Sequence, residues 1–142
     1  MLTLAIIKPD AVATGTAGKI VAHLEAQGFT VRAARMVQLT TPQAEAFYAV
    51  HKERPFFRSL VAFMTSGACI PMALERADAV TALREAIGAT DPAEAKPGTV
   101  RKLFAQSKER NAIHASDSAE NADREVAFFF TEMELAASPT TG

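Results

Sequence analysis

The sequence has a single cysteine, no tryptophan and almost no net charge. Because Cys69 stands alone, no disulfide can form within the chain, and a buried or inert thiol is expected. A net charge of −1 lacks the basic excess that a large nucleic-acid surface needs, so nucleic acid is not an expected partner. Small polyanions stay open as ligands, because a few converging cations bind them whatever the total charge.

Long hydrophobic runs are also missing, so no segment is expected to span a membrane. The apolar segment 2–7 has no basic region or cleavage site around it, which predicts a cytoplasmic protein. Hydrophobic residues make up 49% of the chain and charged residues 22%, the proportions of a folded domain. We predict one domain over residues 1–135 and a flexible tail over residues 136–142.

Hydrophobic periodicity divides the chain into alternating strands and helices. Strands are predicted at residues 2–7, 29–39, 69–74 and 128–135. Helices are predicted at residues 17–27, 41–50, 57–64, 79–87 and 118–127, with a weaker one at 100–105. Two strand–helix–strand units in this order indicate an α+β fold. The predicted architecture is an α/β sandwich, with a ferredoxin-like sheet of four antiparallel strands and helices packed on one face of it.

Turn and cap residues add local expectations. Pro71 cannot donate a ladder hydrogen bond, so the third strand should lie at an edge, be bulged, or be paired on one side at that point. Asp78 and Gly88 should cap the helix between them. Residues 89–115 lack a strand pattern, and a loop of this length is usually functional or disordered.

One phosphate-binding motif can be set aside. A P-loop needs Gly, four residues, Gly-Lys and then Ser or Thr. Gly15 is too close to Gly18-Lys19 for that spacing, and Ile20 follows the lysine. The start of a helix is therefore the preferred interpretation of these glycines.

His114 lies at the end of the irregular stretch, just before a predicted helix. Helix N-termini attract phosphate, because their amide groups are free and the dipole is positive there. A neutral imidazole is a competent nucleophile near pH 7, and Glu125 on the following helix could orient the ring. A histidine considered alone is nevertheless more often a structural residue.

Several cations could serve a phosphoryl-transfer site. Such chemistry needs positioning and charge neutralisation of the phosphate oxygens more than covalent help from the protein. Sequence spacing does not show whether the cations converge, and each considered singly is more often a solvated surface residue. The candidates are Lys8, Arg84 and Arg101, with Lys52 and Arg54 as weaker ones.

Six runs, all in the same order, resemble the nucleoside diphosphate kinases, and the resemblance covers about residues 3–135. The runs around Arg54-Pro55-Phe56-Phe57 and His114 are the most specific of them. The six are Ile6-Ile7-Lys8-Pro9-Asp10, His51-Lys52-Glu53-Arg54-Pro55-Phe56-Phe57, Met64-Thr65-Ser66-Gly67, Gly88-Ala89-Thr90-Asp91-Pro92, Lys96-Pro97-Gly98-Thr99-Val100-Arg101 and Asn111-Ala112-Ile113-His114-Ala115-Ser116-Asp117.

The resemblance implies an enzyme that moves the γ-phosphate of a nucleoside triphosphate to a diphosphate, by a ping-pong mechanism through phosphohistidine on His114. It implies broad base specificity, because the aromatic ring of Phe56 stacks on any base. Lys8, Tyr48, Ser116 and Glu125 match residues that act beside the histidine, with Lys8 also at the phosphate and ribose. The nucleotide-binding matches are Arg84, Thr90 and Arg101 at the phosphates and Asn111 at the ribose. For His51, contact with the β-phosphate and a surface position both stay open.

The resemblance also implies a cofactor and an assembly. Mg²⁺ arrives with the nucleotide, and Asp117 reaches it through water at most, since Mg²⁺ keeps most of its waters. The expected partners are nucleoside di- and triphosphates and further copies of the chain, in a homo-oligomer that is a dimer-based tetramer or hexamer.

The chain departs from the family at several positions. Ala115 stands where glycine is usual, which is strained if φ is positive there and harmless if φ is negative. Lys102 and Leu103 change a loop that the family uses in its trimer contact, and Lys108 replaces an apolar residue beside the base. No departure removes a group needed for phosphoryl transfer, so an active kinase is preferred over a regulatory protein of the same fold or a generic ferredoxin-like domain.

Overall fold

The computed structural model describes residues 1–136, and a four-stranded antiparallel sheet lies at its centre. The strands are β1 (Leu2–Ile7), β2 (Thr30–Ala34), β3 (Ile70–Glu75) and β4 (Ile113–Ala115). Their order across the sheet is β2-β3-β1-β4, so β1 pairs with β3 on one side and with β4 on the other. The predicted fold class is confirmed.

Helices fill the connections between the strands. They are α1 (Pro9–Ala13), α2 (Ala17–Ala26), α3 (Thr41–Phe47), α4 (Phe57–Met64), α5 (Ala79–Ile87), α6 (Val100–Phe104), α7 (Ala119–Phe129) and α8 (Glu132–Ala136), with a 3₁₀ turn at Ala49–His51. The sequence pattern missed α1, which begins at the proline that ends β1. Proline suits this first helical position, because its missing N–H would have no partner there.

Side chains from β1 enter two separate cores, one on each face of the sheet. Leu4 and Ile6 pack with residues of α3, α4 and α7. Ala5 and Ile7 pack with residues of α2 and α5 on the opposite face. The expectation of helices on one face is therefore wrong, and the mostly apolar sequence of β1 is the pattern of a strand buried on both faces.

The fourth strand was predicted in the wrong place. Residues 128–135 are not a strand, because α7 continues to Phe129 and α8 begins at Glu132. Ala122, Val126 and Phe129 are buried at helical spacing, and this burial outweighs the strand preference of the aromatic residues. The fourth strand is β4, which has three residues and lies at one edge of the sheet. It falls within residues 89–115, which were predicted to be irregular.

Pro71 lies inside the sheet, so the edge alternative is wrong. It is paired with Ile6 of β1, whereas the ladder between β2 and β3 ends at the neighbouring pair of Ala34 and Met72. Across from Pro71, the backbone N–H of Arg35 donates to the Pro71 carbonyl. At Pro71, β3 is therefore in register with β1 alone, which is one of the predicted alternatives, and the hydrogen bond from Arg35 remains on the β2 side.

Two other local expectations differ from the structure. Asp78 precedes α5 in a left-handed conformation with φ 51°, and its side chain makes no cap hydrogen bond. β2 is shorter than predicted: it contains a register shift between Val31 and Ala33 and ends at Ala34, and Val37 beyond it forms an isolated bridge with Cys69. Of the predicted tail, Ala136 ends α8, and residues 137–142 lie outside the described part of the chain.

Within residues 1–136, none of the helices combines the length and the apolar character needed to cross a bilayer. The longest of them, α7, has 11 residues, whereas a spanning helix needs about 20.

Gly88, which ends α5, is a position where a side chain cannot be accommodated. Its φ of 87° and ψ of −177° are essentially restricted to glycine, and a Cβ would lie 2.6 Å from the Thr99 hydroxyl oxygen. We expect Gly88→Ala to lower the free energy of unfolding by about 2–4 kcal/mol, measured by denaturant titration. The control is Gly18→Ala, because Gly18 is in α2 with open space around it. Equal changes in the two variants would contradict the prediction.

Candidate active site

His114 is the central residue of β4, opposite Ile6 of β1. This pairing places its side chain on the face of the sheet that packs against α7. There the imidazole Nε2 lies 2.6 Å from Glu125 Oε1, and the Ser116 hydroxyl donates to the same oxygen at 2.9 Å. Glu125 is buried on α7, so its hydrogen bonds with His114 and Ser116 are shielded from water.

The Glu125 contact fixes which nitrogen of His114 can react. A carboxylate oxygen that already accepts from Ser116 is an acceptor for the ring as well, so we assign the proton to Nε2. In a neutral imidazole the other nitrogen, Nδ1, then carries the free lone pair. The His114 side chain lines the cavity described below, so this arrangement presents a nucleophilic nitrogen to a ligand in that cavity.

The surroundings of His114 favour the neutral ring. Burial lowers the pKa of His114 below its ordinary value, and the nearby charges of Lys8 and Arg101 lower it further. The hydrogen bond and negative charge of Glu125 act in the opposite direction but do not outweigh burial. The imidazole is therefore unprotonated at neutral pH, as a nucleophile requires.

A cavity of about 470 Å³ opens in front of His114, a volume that suits a nucleotide-sized ligand. It brings together the residue after β1, the α3–α4 connection, α4, the segment after α5, α6, the α6–β4 loop and β4. The predicted site residues that line it are Lys8, Tyr48, Phe56, Thr90, Arg101, Asn111 and His114, and His51, Leu60, Lys108 and Glu109 complete the wall. Ser116 and Glu125 lie behind His114. Arg84 and Asp117 do not line the cavity, but the charge of Arg84 lowers the pKa of both Arg101 and Asp117.

Lys8 and Asn111 form one wall of the cavity. The Lys8 ammonium donates to Asn111 Oδ1 at 2.8 Å, and the Asn111 amide donates to the Thr90 carbonyl at 3.3 Å. Burial lowers the pKa of Lys8 to about 8, with a further contribution from Arg101, while Asp10 and Glu109 oppose the change. Lys8 is therefore mostly charged at pH 7 and neutral in mildly alkaline solution.

This lowered pKa predicts an alkaline limit to activity. The profile of kcat/KM against pH reports groups of the free enzyme, and the family resemblance implies that the charged form of Lys8 binds phosphate. Because the pKa of Lys8 is about 8, we expect kcat/KM for the phosphoryl donor to fall by about tenfold per pH unit above that value. Lys8→Arg is expected to be less active but to show no such decline up to about pH 9.5, because arginine stays charged. A parallel decline in both proteins would contradict the assignment.

Arg101 is a buried cation on α6. Its guanidinium donates to the carbonyl of Gly88 at 3.0 Å and to that of Ile113 at 2.7 Å. Burial, together with the positive charge of Arg84, lowers the pKa of Arg101 to about 10, so the two arginines are close enough to repel each other. Two like charges held near each other form an electropositive region suited to a polyanion.

Tyr48 and Phe56 are the two predicted aromatic residues that line the cavity. The Tyr48 hydroxyl is buried and has no hydrogen-bonding partner within residues 1–136, and burial raises the pKa of Tyr48. Its ring meets the His114 ring edge-on at 6.0 Å. Phe56 is 47% exposed and lies 5.6 Å from the His51 ring, centroid to centroid, so His51 borders the site rather than lying elsewhere on the surface.

Asp117 is the candidate metal contact. It is exposed, and the hydrogen bond from Asn121 at 2.7 Å is the main reason that the pKa of Asp117 is lowered. In the described part of the chain, no group of three or more His, Cys, Asp or Glu side chains is arranged to hold a metal ion. A single exposed carboxylate fits a cation that is carried mostly by a bound polyphosphate.

The backbone strain near His114 is found at Ala112 and not at Ala115, the position where the family usually has glycine. Ala115 is in a regular strand and is not among the residues with positive φ, so alanine is harmless there. Ala112 has φ 73°, and its N–H donates to Asp10 Oδ2 at 3.0 Å. Sequence reasoning missed this role of Asp10, although its place in the run Ile6-Ile7-Lys8-Pro9-Asp10 was a signal.

The comparisons with known proteins agree along nearly the whole chain. A family model described as nucleoside diphosphate kinase matches residues 2–135. Nucleoside diphosphate kinases of Halorhodospira halophila and Chlorobium chlorochromatii are 56% and 55% identical, over 95% and 96% of this chain and 96% and 97% of theirs. The structure of the Aquifex aeolicus nucleoside diphosphate kinase aligns with a TM-score of 0.92 and 46% identity, covering 94% of this chain and 96% of that one. The Halobacterium salinarum nucleoside diphosphate kinase, solved in complex with CDP, aligns with a TM-score of 0.92 and 36% identity over 99% and 94%.

Proposed function

Because the chain belongs to the nucleoside diphosphate kinase family, we propose that His114 is the residue through which it transfers the γ-phosphate of a nucleoside triphosphate to a nucleoside diphosphate. The chain is a phosphotransferase, and its substrates are nucleotides. The observation that carries the assignment to His114 is the hydrogen bond between Nε2 and Glu125 Oε1, because it leaves Nδ1 free beside two buried cations.

In the first half-reaction, His114 Nδ1 attacks the γ-phosphorus. The new N–P bond forms as the bond from phosphorus to the β–γ bridging oxygen breaks, and the diphosphate leaves with that electron pair. Positive charge grows on the imidazole during attack, and Glu125 stabilises it through Nε2–H. Lys8 and Arg101 offset the negative charge on the phosphate oxygens, which is the main contribution that phosphoryl transfer needs from a protein.

In the second half-reaction, a different diphosphate occupies the same cavity. Its terminal oxygen attacks the phosphorus on His114, the N–P bond breaks, and Nδ1 regains its lone pair. One site thus serves donor and acceptor in turn, which gives ping-pong kinetics. Phe56 offers a ring face for base stacking, and stacking accepts every base, which supports broad base specificity.

A divalent cation is a general requirement of kinases of this family, and we assign Mg²⁺ to that role. When bound with the nucleotide, Mg²⁺ neutralises phosphate charge. The single exposed carboxylate of Asp117 suits a water-mediated contact with an ion that keeps most of its waters. Arg84 and Thr90 complete the phosphate-binding set, and Asn111 is assigned to the ribose hydroxyl.

Assembly and location remain predictions. The expected homo-oligomer is a dimer-based tetramer or hexamer, in keeping with the family resemblance, and the expected compartment is the cytoplasm. Size-exclusion chromatography with light scattering distinguishes the tetramer from the hexamer, and a monomer would contradict the prediction of assembly.

The experiment that tests the function uses the full chain with ATP radiolabelled at the γ-phosphate and Mg²⁺. We expect a single phosphoryl group per chain, labile in acid and stable in alkali, as phosphohistidine is. Adding unlabelled GDP should discharge the protein and produce labelled GTP. Absence of label, or label that survives acid, would overturn the proposal.

A further inference from the structure

Ala112 is the central residue of a strained turn between two site residues. Its φ is 73°, and the N–H of Ile113 donates to the carbonyl of Asn111 at 2.9 Å. A hydrogen bond from residue i+2 to residue i around a positive φ defines the rarer and strained form of γ-turn. A left-handed conformation costs a non-glycine residue roughly 1–2 kcal/mol, so surrounding contacts must hold this turn.

Both backbone polar groups of Ala112 are held by the segment that follows β1. The Ala112 carbonyl accepts from the N–H of Lys8 at 2.9 Å, and the Ala112 N–H donates to Asp10 Oδ2 at 3.0 Å. Asp10 is only 4% exposed, so water cannot readily replace its carboxylate in this contact. In this turn Asn111 precedes Ala112, and Ile113 follows it and is bonded to His114.

We propose that Asp10 is a positioning residue, whose carboxylate holds the left-handed turn at Ala112 and thereby the alignment of His114 with the phosphoryl group. This inference rests on the assignment of His114 proposed above. Asp10 does not line the nucleotide cavity, so it acts through the turn and not by contact with the substrate.

Asp10 also acts on the site through its charge, and the experiment must separate this effect from its effect on the turn. Its negative charge supports the charged form of the neighbouring Lys8 ammonium. A role through charge requires a carboxylate, whereas a role through the turn requires only a hydrogen-bond acceptor. Asp10→Asn separates them, because an amide oxygen can accept from Ala112 N–H. The amide NH₂ would then replace Oδ1, which has no hydrogen-bonding partner within residues 1–136.

The test measures the rate of phosphoryl uptake from saturating labelled ATP in Asp10→Ala, Asp10→Asn, Ala112→Gly and the Asp10→Ala/Ala112→Gly double variant. We expect Asp10→Ala to slow uptake by about tenfold, the population effect of a strain of this size. Asp10→Asn should recover most of that loss. The double variant should be at least about threefold faster than Asp10→Ala alone, because glycine adopts the left-handed conformation without strain. Asp123→Ala, at an exposed carboxylate of α7, is the control.

The outcomes distinguish this inference from the assignment of His114. If the parent protein takes up no phosphate, the proposed function fails first. If the parent is labelled but Asp10→Asn is as slow as Asp10→Ala, the charge on Lys8 matters and the turn does not, which overturns the inference. It is also overturned if glycine at position 112 gives no recovery, or if uptake per folded molecule is unchanged in Asp10→Ala.

Discussion

The His114→Ala variant is expected to take up no label from γ-labelled ATP and to lose at least about 10⁴-fold in transfer rate, as enzymes do when their nucleophile is removed. The physical reason is the absence of a substitute. Glu125 is held by His114 and Ser116 behind the ring, and the Tyr48 hydroxyl keeps its proton because burial raises the pKa of Tyr48. Neither group is available as a nucleophile for the γ-phosphorus.

The control for this variant is His23→Ala, on α2 and outside the cavity. It should be labelled as the parent protein is. Thermal unfolding of both variants checks that each is folded, since His114 is packed against Phe47 with ring centroids 5.4 Å apart. Labelling of a folded His114→Ala protein at the parental rate would refute the assignment of the nucleophile.

Arg101→Ala is expected to have the second largest effect, because Arg101 supports the fold through two backbone carbonyls and is proposed to bind the substrate as well. We expect kcat/KM to fall by about 10²–10³-fold, the usual loss for a preorganised group that stabilises transition-state charge. We also expect the free energy of unfolding to fall by about 2–4 kcal/mol, because the carbonyls of Gly88 and Ile113 lose charged donors in a buried setting.

Arg84→Ala is the matched comparison, since Arg84 is an exposed cation close to Arg101. It should reduce kcat/KM while changing the free energy of unfolding by less than about 0.5 kcal/mol, as exposed substitutions generally do. Steady-state kinetics and urea titration of both variants provide the two quantities. If Arg84→Ala lowers the free energy of unfolding, or if Arg101→Ala leaves it unchanged, the assignment of a role in stability to Arg101 alone is wrong.

The local sequence was sufficient to predict the elements that have a clear hydrophobic periodicity. β1 is recognisable because every residue of its run is apolar or small, and α2, α4 and α5 because their apolar residues recur at helical spacing. The motif runs also predicted the family, and the comparisons confirm it. All the predicted cavity residues except Tyr48 lie in those runs, whereas composition and spacing alone gave no reason to place the cations in a site.

Tertiary structure decided where the fourth strand lies. Ile113–Ala115 is too short to show a strand period, and it is extended because β1 offers it an edge. Residues 128–135 have strand-forming aromatics, yet Phe129 is buried as part of a helix that packs on the sheet. Both outcomes depend on partners far along the chain, and a local window contains no information about such partners.

The active-site geometry is also a product of distant contacts. Lys8 meets Asn111 across 103 residues, and Asp10 meets Ala112 across 102. The sequence therefore determined which chemical groups this protein possesses, including the histidine, the carboxylate on the next helix and the cations. Only the folded sheet decided that these groups converge, because pairing of β1 with β4 brings the segment that follows β1 and the segment around His114 into one site.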